Sequence, residues 1–325
     1  MILKALAPCR ISLFGGGSDI NPYCDLYGGF CLNMAINIHQ EITMYYDEPE
    51  PIYYIDPFAW NNYQTLPKGA NPHFYTTFLK EYGIDDKIGT RLSAKFKGEI
   101  TGGLGSSAAA AVAMMGLINE RLELNLSLGE IALKAWEIEV FKLGLFGGKQ
   151  DQFVAAFGGV NLMEFSKNKV EVTPLSKKFI KSLLPSLCLF YTGENRRSAK
   201  IQEGFKNLSS IQKEALDQIK ALTFLAIEPV IRGDVEEVGL LLNEAWQLKQ
   251  TSNKGVSTQR IDRLYEAALI HGAWGGKVLG AGGGGYALFI CPLEKQTTLI
   301  ESLAKLEVKK VDFEICWQGL EVDRL

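Results

Sequence analysis

Between Ile100 and Asn119 the chain carries no charged residue; Gly102-Gly103-Leu104-Gly105-Ser106-Ser107 stands near its start and four alanines follow directly. Few stretches restrict a fold more. The glycines admit positive φ and let backbone N–H groups come close to a ligand. The alanine-rich run after them reads as a buried helix. A helix starting at Ser106 aims its unpaired N–H groups and the positive end of its dipole at the glycine turn, which makes an anion site. The hydroxyls of Ser106 and Ser107 add groups that can touch a metal or phosphate oxygens. The bland alternative is a glycine turn with Ser106 as a plain helix cap. The loop is not a Walker A loop, which needs Gly-Lys-Ser/Thr at its end. Nor does the stretch suit a membrane, because Thr101 to Ser107 would leave backbone polar groups unsatisfied in lipid.

The length of 325 residues is too great for one small core and fits two moderate domains. A net charge of -3 offers no electrostatic platform for nucleic acid or an anionic membrane, so neither is expected as a partner. The six cysteines form no CxxC pair and are expected to be buried, reduced thiols of a cytoplasmic protein. The N-terminus lacks the long apolar region and cleavage site of a signal peptide. Only His39, His73 and His271 are available for acid–base work, and none lies in a glycine cluster.

Hydrophobic periodicity divides the chain into two α+β halves, 1–180 and 181–325, with a junction in the Pro185-containing stretch from Leu175 to Leu187. Alternation predicts strands over Leu3 to Phe14, Phe30 to Tyr46, Arg91 to Lys97 and Val160 to Phe165. Helices are expected from Ser106 to Leu122, then from Ser127 on to Leu143, the spacing of Ser127 to Glu130 being that of a capping box. Another short helix is expected around Lys149 to Phe157. In the second half, helices are expected over Ser198 to Ala226, Val235 to Gln250, Thr258 to His271 and Lys295 to Leu306. Strands are expected over Leu187 to Tyr191, Lys277 to Leu279, Tyr286 to Cys291 and Val308 to Ile315.

An anion loop without lysine calls for a divalent cation to supply the missing charge, and Mg²⁺ takes one or two carboxylates beside phosphate oxygens. Glu137, Glu139 and Asp151 are the candidates. Asp151 follows Gly147-Gly148 in an apolar neighbourhood that suits a solvated charge poorly. Near the N-terminus a strand delivers Arg10, and Gly15-Gly16-Gly17 then presents Ser18 and Asp19. A carboxylate and a hydroxyl beside exposed amides suit a polyol. For each group a bland alternative stands: a helix-terminal carboxylate, an exposed helical charge, a strand-ending turn.

Taken in order, the N-terminal strand motif, the central glycine loop and the glycine-rich 282–285 cluster resemble the GHMP small-molecule kinases, over nearly the whole chain. The matching stretches are residues 7–20, 99–111 and 277–290, with Glu99 where that family usually has proline. Within the family the wording is most similar to the kinases of D-glycero-D-manno-heptose phosphates, while fucose kinases share the Gly-Gly-Gly form. The resemblance implies an N-terminal domain like domain 2 of ribosomal protein S5 and a ferredoxin-like C-terminal domain. It also implies ATP and Mg²⁺, with the triphosphate wrapped by Gly102, Gly103, Leu104, Gly105, Ser106 and Ser107, and the metal held by Ser107 and Glu139. Asp151 and Arg10 are then the catalytic pair. Gly16, Gly17, Ser18, Asp19, Gly283 and Gly284 shape the sugar pocket, and Arg196 and Arg197 meet a sugar phosphate. The implied reaction phosphorylates an anomeric hydroxyl, that of a heptose 7-phosphate, in a monomer or homodimer. The alternatives are a fucose- or galactose-type 1-kinase and a non-catalytic sugar- or nucleotide-binding regulator.

Overall fold

The computed structural model describes residues 1–46, 72–84, 90–98, 102–167, 169–193, 208–252 and 255–325. Strands β1 (Ile2–Phe14) and β2 (Gly29–Tyr45) form a long antiparallel pair at the centre of the first sheet. The outer half of β1 alternates in burial and its inner half is buried on both faces. Register shifts at Pro8/Cys9, as expected where proline cannot donate to the ladder. With β3 (Arg91–Phe96), β4 (Val160–Phe165), β5 (Val170–Pro174) and β10 (Glu321–Arg324), the order is β10-β1-β2-β4-β5, and β3 pairs with the other end of β2. The chain's last strand therefore lies on the sheet that its first strand begins.

Helix α3 (Ser106–Arg121) packs on β1 and β2, and every residue from Ala108 to Ile118 is buried. This is the destination of the uncharged stretch. Gly116 within it is a close-packing site: a Cβ there would meet Leu320 Cδ2 at 2.7 Å. Helix α4 (Leu128–Glu137) starts with the Ser127–Glu130 capping box that the spacing predicts. The helix expected to continue to Leu143 instead turns π-helical over Ile138–Lys142. Helix α5 (Gln150–Phe157) ends at Gly158 in a positive-φ conformation.

The second sheet has the order β7-β8-β6-β9, with β6 (Leu187–Tyr191), β7 (Gly275–Val278), β8 (Tyr286–Ile290) and β9 (Lys309–Val311) all antiparallel. Helices α7 (Ser210–Arg232), α8 (Val235–Ser252), α9 (Gln259–Ile270) and α10 (Gln296–Ala304) accompany it. The expected helix from Ser198 to Ala226 is described only from Ser210, where a Ser209–Gln212 box caps it. It runs past Pro229 to Arg232 despite the lost ladder bond and the ring's crowding of the preceding turn, with Ala226 and Val230 on either side buried in the core. The expected strand from Val308 to Ile315 stops at Val311; Ile315 pairs alone with Ile36 of β2. Four strands and α-helices had no sequence expectation: the short helices α1 (Tyr23–Tyr27), α2 (Pro72–Glu81) and α6 (Lys177–Ile180), and β10. The architecture is α+β. Among the described residues no helix is long and apolar enough to cross a membrane.

Candidate active site

A cleft of about 300 Å³ opens where the two sheets' glycine loops meet. Its floor is the start of α3. Gly105 caps that helix in the left-handed conformation at φ 72°, and a Cβ there would crowd Asp151 Oδ2 at 3.2 Å. Opposite lies the Gly280–Gly285 turn between β7 and β8. A Cβ on Gly280 would stand 2.8 Å from Gly103 Cα, and one on Gly285 3.0 Å from the Gly102 carbonyl oxygen. Backbone touches backbone here, which is why both loops are glycine.

Arg10 is nearly fully buried on β1 and reaches across to α5. Its Nε and Nη2 donate to Asp151 Oδ1 and Oδ2, both at 2.7 Å, and Nη1 donates to the Gly103 carbonyl at 2.6 Å. This fork-to-fork pair fixes both oxygens of Asp151 against the glycine loop. Asp19, also buried, sits on the turn after β1. Its Oδ1 accepts from Gly17 N (3.0 Å) and Gln150 Nε2 (3.2 Å), and Oδ2 accepts from Gln150 N (3.2 Å). Burial pushes its carboxyl above the ordinary range, Asp151 adds to that, and the N–H groups of Gly17 and Gln150 oppose it. Gly148 leaves the room: a Cβ there would fall 1.8 Å from Asp19 Oδ2.

Glu139 lies on the π-helical turn, a distortion that recurs at functional sites. Its Oε1 accepts from Ser107 Oγ at 2.5 Å and its Oε2 from Gln152 Nε2 at 2.7 Å. Burial raises its carboxyl to about 7, against those two hydrogen bonds. A hydroxyl and a carboxylate at a helix N-terminus form a hard-oxygen set, which fits Mg²⁺. Among the described residues no group of three His, Cys, Asp or Glu side chains that could hold a metal ion occurs.

Of the residues singled out from the sequence, Arg10, Gly16, Gly17, Asp19, Gly102, Gly103, Gly105, Ser106, Ser107, Glu139 and Asp151 line this one cleft. Glu137, at the end of α4, is not among its lining residues, and four more take other places. Leu104 is fully buried, and its carbonyl accepts the Arg10 N–H at 2.9 Å. Ser18 is buried in its own turn, donating to the Gly15 carbonyl at 2.7 Å and accepting from Phe30 N at 3.0 Å. Gly283 donates to Val256 at 2.8 Å, and the turn faces the cleft through Gly280 and Ala281 in place of Gly283 and Gly284. Arg196 and Arg197 lie outside the described residues. The motifs did not single out Trp136, Lys249 or Lys277, which also line the cleft. Trp136 donates to the Gly147 carbonyl at 3.1 Å, with Lys149 over its ring at 4.8 Å, and so holds the turn ahead of Asp151. A lone aromatic on a helix carries no sequence signal for that role.

Residues 73–159 match the family described as GHMP kinases N terminal domain, and residues 226–308 match GHMP kinases C terminal. The chain is similar to D-glycero-alpha-D-manno-heptose 7-phosphate kinase of Campylobacter jejuni, at 33% identity over 99% of each chain. It is also similar to the bifunctional fucokinase/GDP-fucose pyrophosphorylase of Arabidopsis thaliana, at 28% identity over 96% of this chain and 32% of that one. Among solved structures, a D-glycero-D-manno-heptose 1-phosphate kinase from Bacteriodes thetaiotaomicron superposes with a TM-score of 0.79 at 27% identity, covering 99% of each chain.

Proposed function

Since the chain belongs to the GHMP kinases, which use ATP as co-substrate, we propose that its acceptor is D-glycero-D-manno-heptose 7-phosphate and its product the 1,7-bisphosphate. The observation that carries this reading is the convergence of Asp19, the Arg10–Asp151 pair and the N-terminus of α3 on one cleft. A polyol seat, a hydroxyl-orienting carboxylate and a phosphate cradle are the parts a sugar kinase needs. The full-length relative's name supplies the sugar.

Asp19 accepts hydrogen bonds from sugar hydroxyls while Gly16 and Gly17 let the ring approach the turn. Asp151, held by Arg10, orients the anomeric hydroxyl and accepts its proton as the new P–O bond forms. Gly102 to Ser107 donate backbone N–H groups to the triphosphate. Ser107 and Glu139 would hold Mg²⁺, which when bound neutralises phosphate charge. Arg10 keeps a cation beside the transferring group without lending it mobility. Positioning and electrostatics supply most of the rate.

A coupled ATP-consumption assay over heptose 7-phosphate, unphosphorylated heptose, L-fucose and D-galactose tests this. Turnover confined to heptose 7-phosphate is expected, with a new anomeric phosphate in the ³¹P spectrum. Turnover of fucose or galactose in preference would replace the acceptor, and the fucokinase relative makes that the second reading. No turnover on any sugar, with ATP still bound, would favour a non-catalytic regulator.

A further inference from the structure

Two lysines of the C-terminal half face the cleft, and the roles assigned above use neither. Lys277, on β7, is buried and donates from Nζ to the Leu13 carbonyl at 3.0 Å, just before the turn that carries Asp19. Lys249, near the end of α8, donates to the carbonyls of Val278 (3.1 Å) and Gly280 (2.6 Å), and Gly280 is packed on the Gly103 backbone. One ammonium thus stands on the sugar side of the cleft and the other beside the glycine loop.

The charges around them do not balance. Arg10 is occupied by Asp151, and among the described residues neither lysine forms an ion pair with a carboxylate. Asp19 attracts Lys277 only at longer range, and the carbonyls that hold both ammoniums carry no formal charge. Burial lowers Lys277 to about 8, and burial with the charges of Lys277 and Arg10 pushes Lys249 well below its ordinary value. Unpaired buried ammoniums are costly. Lys277 is buried, Lys249 partly so, and the two repel each other; a chain gains nothing in stability from such a pair, but a dianion between them would meet both. An ammonium has three protons, and the recorded bonds use one on Lys277 and two on Lys249, so donors are left on each.

We propose that Lys249 and Lys277 together form a phosphate seat on the C-terminal wall of the cleft, facing the glycine loop. It rests on the kinase reading above and adds the subsite that reading lacks. The occupant is a terminal, dianionic phosphoryl group, either the terminal phosphate of ATP or the phosphate that the acceptor already bears.

Calorimetry on Lys249→Met and Lys277→Met separates the two sources. The nucleotide arm compares a non-hydrolysable ATP analogue with ADP, and the acceptor arm compares heptose 7-phosphate with heptose. In at least one arm the variants are expected to lose about tenfold or more in affinity for the phosphate-richer ligand while its partner stays within about twofold. The arm that responds identifies the phosphate. Melting temperatures unchanged or raised are expected, since a buried charge is removed; a merely structural tie to Leu13 would lower them and leave ligand selectivity intact. Unaltered selectivity in both arms overturns the proposal. Should a variant not fold, ¹³C-labelled lysine signals of the parent protein decide instead: phosphate-bearing ligands must shift the Lys249 and Lys277 resonances, and ligands lacking that phosphate must not. The nucleotide arm is independent of the sugar, so a wrong acceptor and a wrong seat give different results.

Discussion

Arg10 and Asp151 stand 141 residues apart in the chain and meet through two parallel 2.7 Å hydrogen bonds, with a third arm of the guanidinium on the Gly103 carbonyl. Strand β1, helix α5 and the glycine loop are thereby tied together at the cleft. The pair ties the structure together, and that role can be separated by substitution from the chemical role proposed for it.

Arg10→Met leaves a carboxylate without its partner, so urea denaturation should show a loss of about 3 kcal/mol. Asp151→Asn should fold, bind ATP within a few-fold of the parent, and lose roughly 10²–10⁴ in kcat. The double variant should recover part of the Arg10→Met destabilisation but none of the activity. Full additivity of the two stability losses would mean that the pair does not couple.

Gly148 has an ordinary backbone conformation, so its substitution tests space alone. In Gly148→Ala the new methyl falls 1.8 Å from Asp19 Oδ2 and must displace that carboxylate or the turn. A loss of about 1–3 kcal/mol in stability is expected. The KM for the sugar should rise while that for ATP holds. Equal rises in both would show that the cleft deforms as a whole.

Gly280→Ala tests the meeting of the two glycine loops. Its φ of 63° disfavours a side chain, and the added Cβ would lie 2.8 Å from Gly103 Cα. Stability should fall by about 1–2 kcal/mol. Here the ATP KM should change more than that of the sugar, the reverse of Gly148→Ala. A crystal structure of the variant with an unshifted glycine loop would contradict this account.

Lys277 gives a pH dependence with a definite sign. Its folded value of about 8 lies below its ordinary 10.5. Below pH 8 both states hold the proton and the burial cost is fully present. Between 8 and 10.5 the unfolded chain holds more protons, so this group makes stability rise with pH across that window. Lys277→Met lacks the effect. Its stability advantage over the parent, on the order of 3 kcal/mol at pH 7 before lost contacts are subtracted, should vanish by about pH 10.5. Urea curves at several pH values would show it; a pH-independent difference would rule out a charged, buried Lys277.

Much of the site was readable before any fold was known. Gly102 to Ser107 read as a glycine turn opening a buried helix because the glycines and the uncharged run are contiguous, and α3 is buried as that pattern requires. The Ser127 capping box was legible for the same reason: its two partners are three residues apart. Asp151 stood out as an acid in apolar surroundings, and Glu139 as one of three candidate carboxylates for a metal. What was not legible involves partners distant in sequence or breaks in periodicity. No local pattern distinguishes a π-helical turn at Ile138–Lys142 from a continuing helix. The four residues of β10, three of them charged, are too short a run to read as alternation, and that strand exists because the edge of β1 is there to pair with it.

Lys277 marks the boundary most clearly. In the sequence it is one lysine in a short strand, and strands expose lysines routinely. Only β7 folding against the end of β1 buries it at Leu13 and turns it toward the cleft. Local chemistry, the glycines, serines and carboxylates with their spacing, was set by the sequence itself, since backbone freedom and helix dipoles act over a few residues. Which of those groups face one another was decided by the tertiary structure alone. Charge pairing, desolvation and the close approach of two glycine turns depend on distances that only packing of the whole chain creates.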